Sequence, residues 1–113
     1  MAQHSGQSGE AIASARTALA ARDRELADAD RELSTVLAGA YATASDAIRR
    51  LEAIRAEIDT AVAQQNVGTP AQGREFTRLL LDKQRELIEV VTAAKADAEA
   101  KASALQHLLR RYQ

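Results

Sequence analysis

The 113-residue chain has no cysteine and no tryptophan, one proline, five glycines, and only one phenylalanine and two tyrosines. Without cysteine there are no disulfides and no thiolate chemistry. Turn residues that would close many short strands are scarce, as are the aromatics that favour strands, so an all-helical chain is expected. Neither sign of charge is in excess. The 15 Lys and Arg stand against 16 Asp and Glu, which argues against a protein whose main task is to neutralise phosphates. Long apolar runs are missing too. The uncharged stretch Leu33 to Ser45 is interrupted by Ser and Thr and falls short of the roughly 20 apolar residues of a membrane-spanning helix. The polar start, Met1 to Gly9, lacks both the basic and the apolar part of a secretory signal peptide. The expectation is a cytoplasmic protein with no membrane partner, exported only in the company of another chain.

What the chain does have is alanine, 26 residues of it, against 23 Leu, Ile, Val and Phe together. Such a composition builds a core from small side chains. One segment sets the architecture. Around Gln64 to Gln72 lies the only proline. Asn66 or Gly68 suits the left-handed closing position of a helix. Thr69 suits the N-cap of the next helix, Pro70 its first position, and Gln72 the reciprocal half of a capping box. Arg110 and Arg111 sit where a helix C-terminus favours positive charge. The pattern predicts a disordered segment over 1–9 and one domain over 10–113: a helix over about 10–65, a turn at 66–69 and a helix over about 70–112.

Ile12, Leu19, Leu26, Leu33, Ala40, Ala47, Ile54 and Ala61 recur at seven-residue spacing, the mark of a long, coiled-coil-like helix. From Leu33 a second row, Leu37, Ala44, Leu51 and Ile58, is expected to widen this stripe, flanked by Tyr41, Ile48 and Val62. A symmetric fold at the turn pairs residues whose numbers add to about 135, setting Ile48 on Leu87, Leu37 on Ala98 and Leu26 on Leu109. Ile12 and Leu19 then have no partner within the hairpin. They must fray, fold back at Gly39, or pack on another molecule.

On a helical wheel the apolar residues of the second helix cover roughly 200°, about twice the stripe one contact needs. Leu81, Ile88, Ala102 and Leu109 on one flank, and Leu79, Val90 and Leu108 on the other, are surplus to a single seam. The fold class expected is therefore all-α: a long antiparallel helical hairpin, completed to a three- or four-helix bundle by the N-terminal segment or a second subunit. Leaving several leucines wet would forfeit several kcal/mol at about 25 cal/mol per Å². That predicts an interaction surface formed by these residues together with Ile12 and Leu19.

Chemistry-bearing residues are few. His4 lies in the polar start and His107 near a helix end, with neither an orienting partner nor a pocket indicated for either. Glu25, Asp28 and Glu32 share one helical face and could meet a hard cation, but Arg22, Arg24 and Arg31 are interleaved with them, which favours a solvated, ion-paired face. No Glu-x-x-His pair of a carboxylate-bridged bundle occurs. Arg49, Arg50 and Arg55, and Arg110 with Arg111, have no aromatic interleaved for base stacking, so no nucleic-acid partner is expected. Arg55, Lys83 and Gln84 fall inside otherwise apolar arcs, where polar residues commonly fix register. No catalytic residue, cofactor or metal is assigned. The chain reads as a non-enzymatic module that pairs with itself or with a second helical protein; the alternative is a metal- or small-molecule-binding bundle.

Thr69-Pro70-Ala71, Arg74-Glu75-Phe76, Lys83-Gln84-Arg85-Glu86, Leu105-Gln106 and Tyr112 together resemble a family of short helical proteins of unknown function from actinobacteria, chiefly mycobacteria. The resemblance covers about residues 20–113 and implies no particular activity. A looser likeness is to the helical hairpins of type VII secretion systems, which implies pairing with a non-identical chain. Their Trp-x-Gly turn is absent here, and neither Tyr41 nor Tyr112 is followed four residues on by an acid. Any such export would rest on a partner carrying that signal.

Overall fold

A computed structural model describes the backbone of residues 2–113 and the side chains from residue 6 onward. Two helices account for it: α1, Ala2–Gln64, and α2, Pro70–Arg111. The chain is an all-α helical hairpin. The stretch expected to be disordered is helical from Ala2, Met1 lying outside the described residues. No proline interrupts it, and once a helix is nucleated each added residue costs little. Nor does α1 fold back at Gly39, so the N-terminal segment continues the helix and supplies no third one.

The turn follows from local chemistry. Helix α1 ends with a tightened turn, the Gln65 N–H donating to the Val62 carbonyl at 3.4 Å. The Asn66 side chain then accepts from the Gly68 N–H at 3.3 Å, an Asx turn. No described residue, glycine included, has positive φ, so the expected left-handed closure is replaced by this side-chain bond. At the start of α2 the Gln72 N–H donates to Thr69 Oγ1 at 3.2 Å, while the Thr69 N–H donates to Gln72 Oε1 at 3.1 Å. This is the expected capping box, and it satisfies two backbone donors reciprocally.

The chain divides into two units, one formed by Leu37–Ala102 and one by Met1–Val36 with Ser103–Gln113. In the first, one row of half-buried and buried residues on α2 steps by three and four: Phe76, Leu80, Lys83, Leu87, Val90, Ala94, Asp97 and Lys101. The matching row of α1 is Ala40, Thr43, Ala47, Leu51, Ile54, Ile58 and Ala61, with Ile54 and Val90 buried. Lys83 binds Glu57, and Lys101 lies across Gly39. Both pairs add to 140 rather than 135, because residues 65–69 carry the chain onward before α2 begins. Of the residues expected to meet between the helices, Ile48, Leu37, Ala44 and Ala98 are exposed and Leu87 is half-buried.

In the second unit the buried residues are Ala29 and Leu108, with Leu26, Leu33, Val36, Ala104 and Leu105 half-buried around them. Arg22 reaches from α1 to the end of α2 and donates to the carbonyls of Arg111, at 3.2 Å, and Tyr112, at 3.4 Å. It thereby satisfies carbonyls that have no partner within the helix. Arg111 pairs with Glu32 at 2.5 Å, and the Tyr112 hydroxyl donates to Asp30. Residues 6–21 are exposed on every side, Ile12 and Leu19 included.

Candidate functional site

A helix advances about 100° per residue, so the residue that follows each seam position lies to one side of the seam and the residue before it to the other. Because α1 and α2 run antiparallel, a forward step leads to the same side of the hairpin on both helices. Within residues 37–102, the residues after the seam positions include Leu37, Tyr41, Ala44 and Ile48 on α1, and Leu81, Ile88, Val91, Ala98 and Ala102 on α2. The residues before them include Gly39, Ala42, Asp46 and Glu57, and Asp82, Glu86, Glu89, Ala93 and Ala96. One side is apolar over residues 37–48 and 88–102 apart from Lys95, with Glu52, Arg55, Asp59 and Gln84 on it nearer the turn, and the other is acidic and alanine-rich. Tyr41 is 76% exposed, and Leu37, Ile48, Leu81, Ile88 and Val91 are also exposed.

Several residues expected at an interaction surface sit here: Leu81, Ile88 and Ala102 are exposed on the apolar side. Leu109, Ile12 and Leu19 are exposed in the other unit. Val90 and Leu108 are a correction. They are 6% and 4% exposed, at seam positions between the helices, and Leu79 is half-buried. The seam of α2 follows the strict three-four alternation, which rotates it toward that flank of the wheel and consumes those residues. Leu37, Tyr41 and Ile48 move the opposite way, from the expected stripe to the surface. The signal that could have found them is their position one step after Val36, Ala40 and Ala47, small or branched residues that suit a close seam.

The two lysines of the seam in the unit formed by residues 37–102, Lys83 and Lys101, are each met by acids. The Lys83 side chain is 16% exposed between Glu57 and Glu86. Its hydrogen bond to Glu57 raises its pKa above the ordinary lysine value, burial opposes the shift, and Glu86 adds to it. Lys101 meets Asp97 at 3.1 Å. Of the other polar residues expected in the seam, Arg55 is exposed and reaches Asp59 at 4.0 Å, and Gln84 is exposed. A shallow groove near the turn is lined by Glu57, Thr60, Gln64, Leu79 and Lys83. Its two charged groups are bound to each other.

The acidic face of Glu25, Asp28 and Glu32 is met by arginines. Arg22 contacts Glu25 at 3.3 Å, Arg31 pairs with Asp28, and Arg111 pairs with Glu32. Among the described residues no group of three or more His, Asp or Glu is placed to hold a metal ion. His107 is exposed, and the side chain of His4 lies outside the described residues. No described helix is long and apolar enough to cross a membrane.

These features define a two-helix hairpin with one unpartnered apolar side. The chain belongs to the family described as Domain of unknown function (DUF4226), whose profile it matches over residues 5–113. It is 44% identical over 116 residues to the uncharacterized protein MT0028 of Mycobacterium tuberculosis (strain CDC 1551 / Oshkosh), with 99% of this chain and 96% of the relative aligned. It is 39% identical over 90 residues to the uncharacterized protein MT0764 of the same strain, covering 77% of this chain and 34% of that protein. With the uncharacterized protein Rv0026 of Mycobacterium tuberculosis (strain ATCC 25618 / H37Rv) it shares 31% identity over 99 residues, 87% of this chain and 22% of the relative. No solved structure matches it.

Proposed function

We infer that this is a non-enzymatic helical interaction module that associates through the apolar side of residues 37–102, with itself or with a second helical protein. One observation carries the reading: Leu37, Tyr41, Ile48, Ile88 and Val91 are exposed together on one side of a hairpin whose other side is acidic. In this unit the exposed large apolar side chains outnumber the buried ones, which are Ile54 and Val90. Full burial of such a side chain is worth about 1.5–3 kcal/mol, so covering several half-exposed ones yields enough to drive association. In this reading the protein works in the cytoplasm. An accessory of a type VII secretion system is a narrower form of the same reading, in which the second chain supplies the export signal.

The test is sedimentation of the purified chain, alone and with host extract, beside the Ile48→Asp and Ile88→Asp variants. Association that both variants abolish, with helicity retained by circular dichroism, supports the reading. A monomer under every condition, unchanged by either substitution, overturns it.

A further inference from the structure

The apolar side is self-complementary, and we propose that a second copy of this chain covers it, related by a twofold axis that lies in the face and sets the two hairpins antiparallel. This rests on the interaction reading above and adds the partner and its geometry. Such an axis brings α1 against α1 and α2 against α2 of the copy. Centred between Tyr41 and Ala44, it opposes Leu37 to the partner's Ile48 and Tyr41 to the partner's Ala44. On α2 the same face carries Lys95, which follows the seam residue Ala94; Glu99, two residues after the seam residue Asp97, points away from the seam on the outer ridge that borders this face. Both are exposed, and among the described residues neither joins an ion pair. An axis centred at Asp97 opposes Lys95 to the partner's Glu99, twice over.

The two conditions are independent, one drawn from apolar shape on α1 and the other from charge on α2. The hairpin's own register joins them. Lys83 facing Glu57 and Lys101 facing Gly39 place Asp97 level with Thr43, so a single axis satisfies both. The area is also sufficient. Leu37, Tyr41, Ile48, Ile88 and Val91 are each more than half exposed. At roughly 100 Å² apiece, with the alanines and the Lys95 and Glu99 stems, they offer on the order of 700–800 Å² per copy, close to the 800 Å² per partner of a standard stable interface. Twofold homodimers are also the commonest closed assemblies.

The absence of cysteine makes single-cysteine trapping unambiguous. Ala98 lies on the apolar side near the axis, and Ala96 lies at nearly the same level on the opposite side. Oxidation is expected to link Ala98→Cys into a disulfide dimer and to leave Ala96→Cys monomeric in a denaturing gel. Charge reversal supplies the second arm. Lys95→Glu and Glu99→Lys are each expected to weaken self-association about tenfold or more, whereas an equimolar mixture of the two variants restores it, because every crossed pair is then of opposite sign. Circular dichroism checks that the exposed substitutions leave helicity unchanged. Linking through Ala96→Cys, or no recovery on mixing, overturns the proposed geometry. If the purified chain is monomeric yet binds a different protein in a manner sensitive to Ile48→Asp, the second copy is overturned and the interaction reading stands. If nothing associates, both fall.

Discussion

Lys101 lies across Gly39: a Cβ built on the glycine would stand 3.3 Å from the lysine Cε, while the lysine Nζ is held by Asp97 at 3.1 Å. The glycine therefore leaves room for a charged side chain to cross the seam, which sequence alone presents as either close helix approach or a hinge. Since α1 runs unbroken through it, the glycine is not a hinge, and what lies against it is the end of the Lys101 side chain. The atom that crowds the site is the far end of a flexible side chain and can shift by a few tenths of an ångström. Gly39→Ala should then gain most of the helix propensity that glycine forgoes, raising unfolding free energy by about 0.5–1 kcal/mol. Urea unfolding measures it.

Thr69 holds the start of α2 through its side-chain oxygen. Thr69→Ala leaves the Gln72 N–H without that acceptor and should lower stability by about 1 kcal/mol, with Thr69→Ser close to the wild type. Urea midpoints of the three proteins, taken at constant slope, test it.

Lys83 occupies a seam position otherwise suited to a leucine, yet its charge is met by Glu57 and Glu86, which themselves remain in contact with water. Lys83→Leu should raise the melting temperature, because it adds apolar packing and leaves two solvated carboxylates. Lys83→Glu should lower it, since three acids then meet at one level. Thermal denaturation followed by circular dichroism distinguishes these outcomes.

Stability should fall on the alkaline side. The pKa of Lys83 is raised by its bond to Glu57, and that of Tyr112 by donation to Asp30 and by burial. In both cases the folded chain holds the proton more tightly than the unfolded one. The stabilisation is therefore complete below the unfolded values, about pH 10 for both groups, and is lost as pH rises through the folded ones. Denaturant midpoints should show no loss from these groups between pH 7 and 9 and a decline above about pH 10. That decline should be shallower in Tyr112→Phe.

Local chemistry was legible in the sequence and rotation about the helix axis was not. Thr69, Pro70 and Gln72 announce a helix start through bonds made within four residues, and the row from Leu26 to Ala61 marks the seam of α1 at every seventh position. In the second row Leu51 and Ile58 enter the seam as expected, while Leu37 and Ala44 do not. Leu37 and Ala44 were as apolar as Val36 and Thr43, the positions that enter the seam, so periodicity alone could not choose between them. On α2 the same ambiguity assigned Val90 and Leu108 to an outer surface. The seam there passes through Lys83, which the apolar arc encloses, and through Asp97 and Lys101, charged residues that an apolar pattern skips. Arg22, Arg111 and Tyr112 depend on the register across the hairpin, which the onward run of residues 65–69 sets. Leu81 and Ile88 were recognisable as surplus; Tyr41, their counterpart on the apolar side, was counted with the flank of the core.

Sedimentation equilibrium of the purified chain across micromolar concentrations, beside Ile48→Asp, measures the central claim most directly. The account predicts a concentration-dependent mass approaching twice 12.1 kDa for the wild type and 12.1 kDa throughout for the variant. A wild-type mass of 12.1 kDa at every concentration, with Tyr41 equally open to chemical modification alone and in host extract, would contradict it.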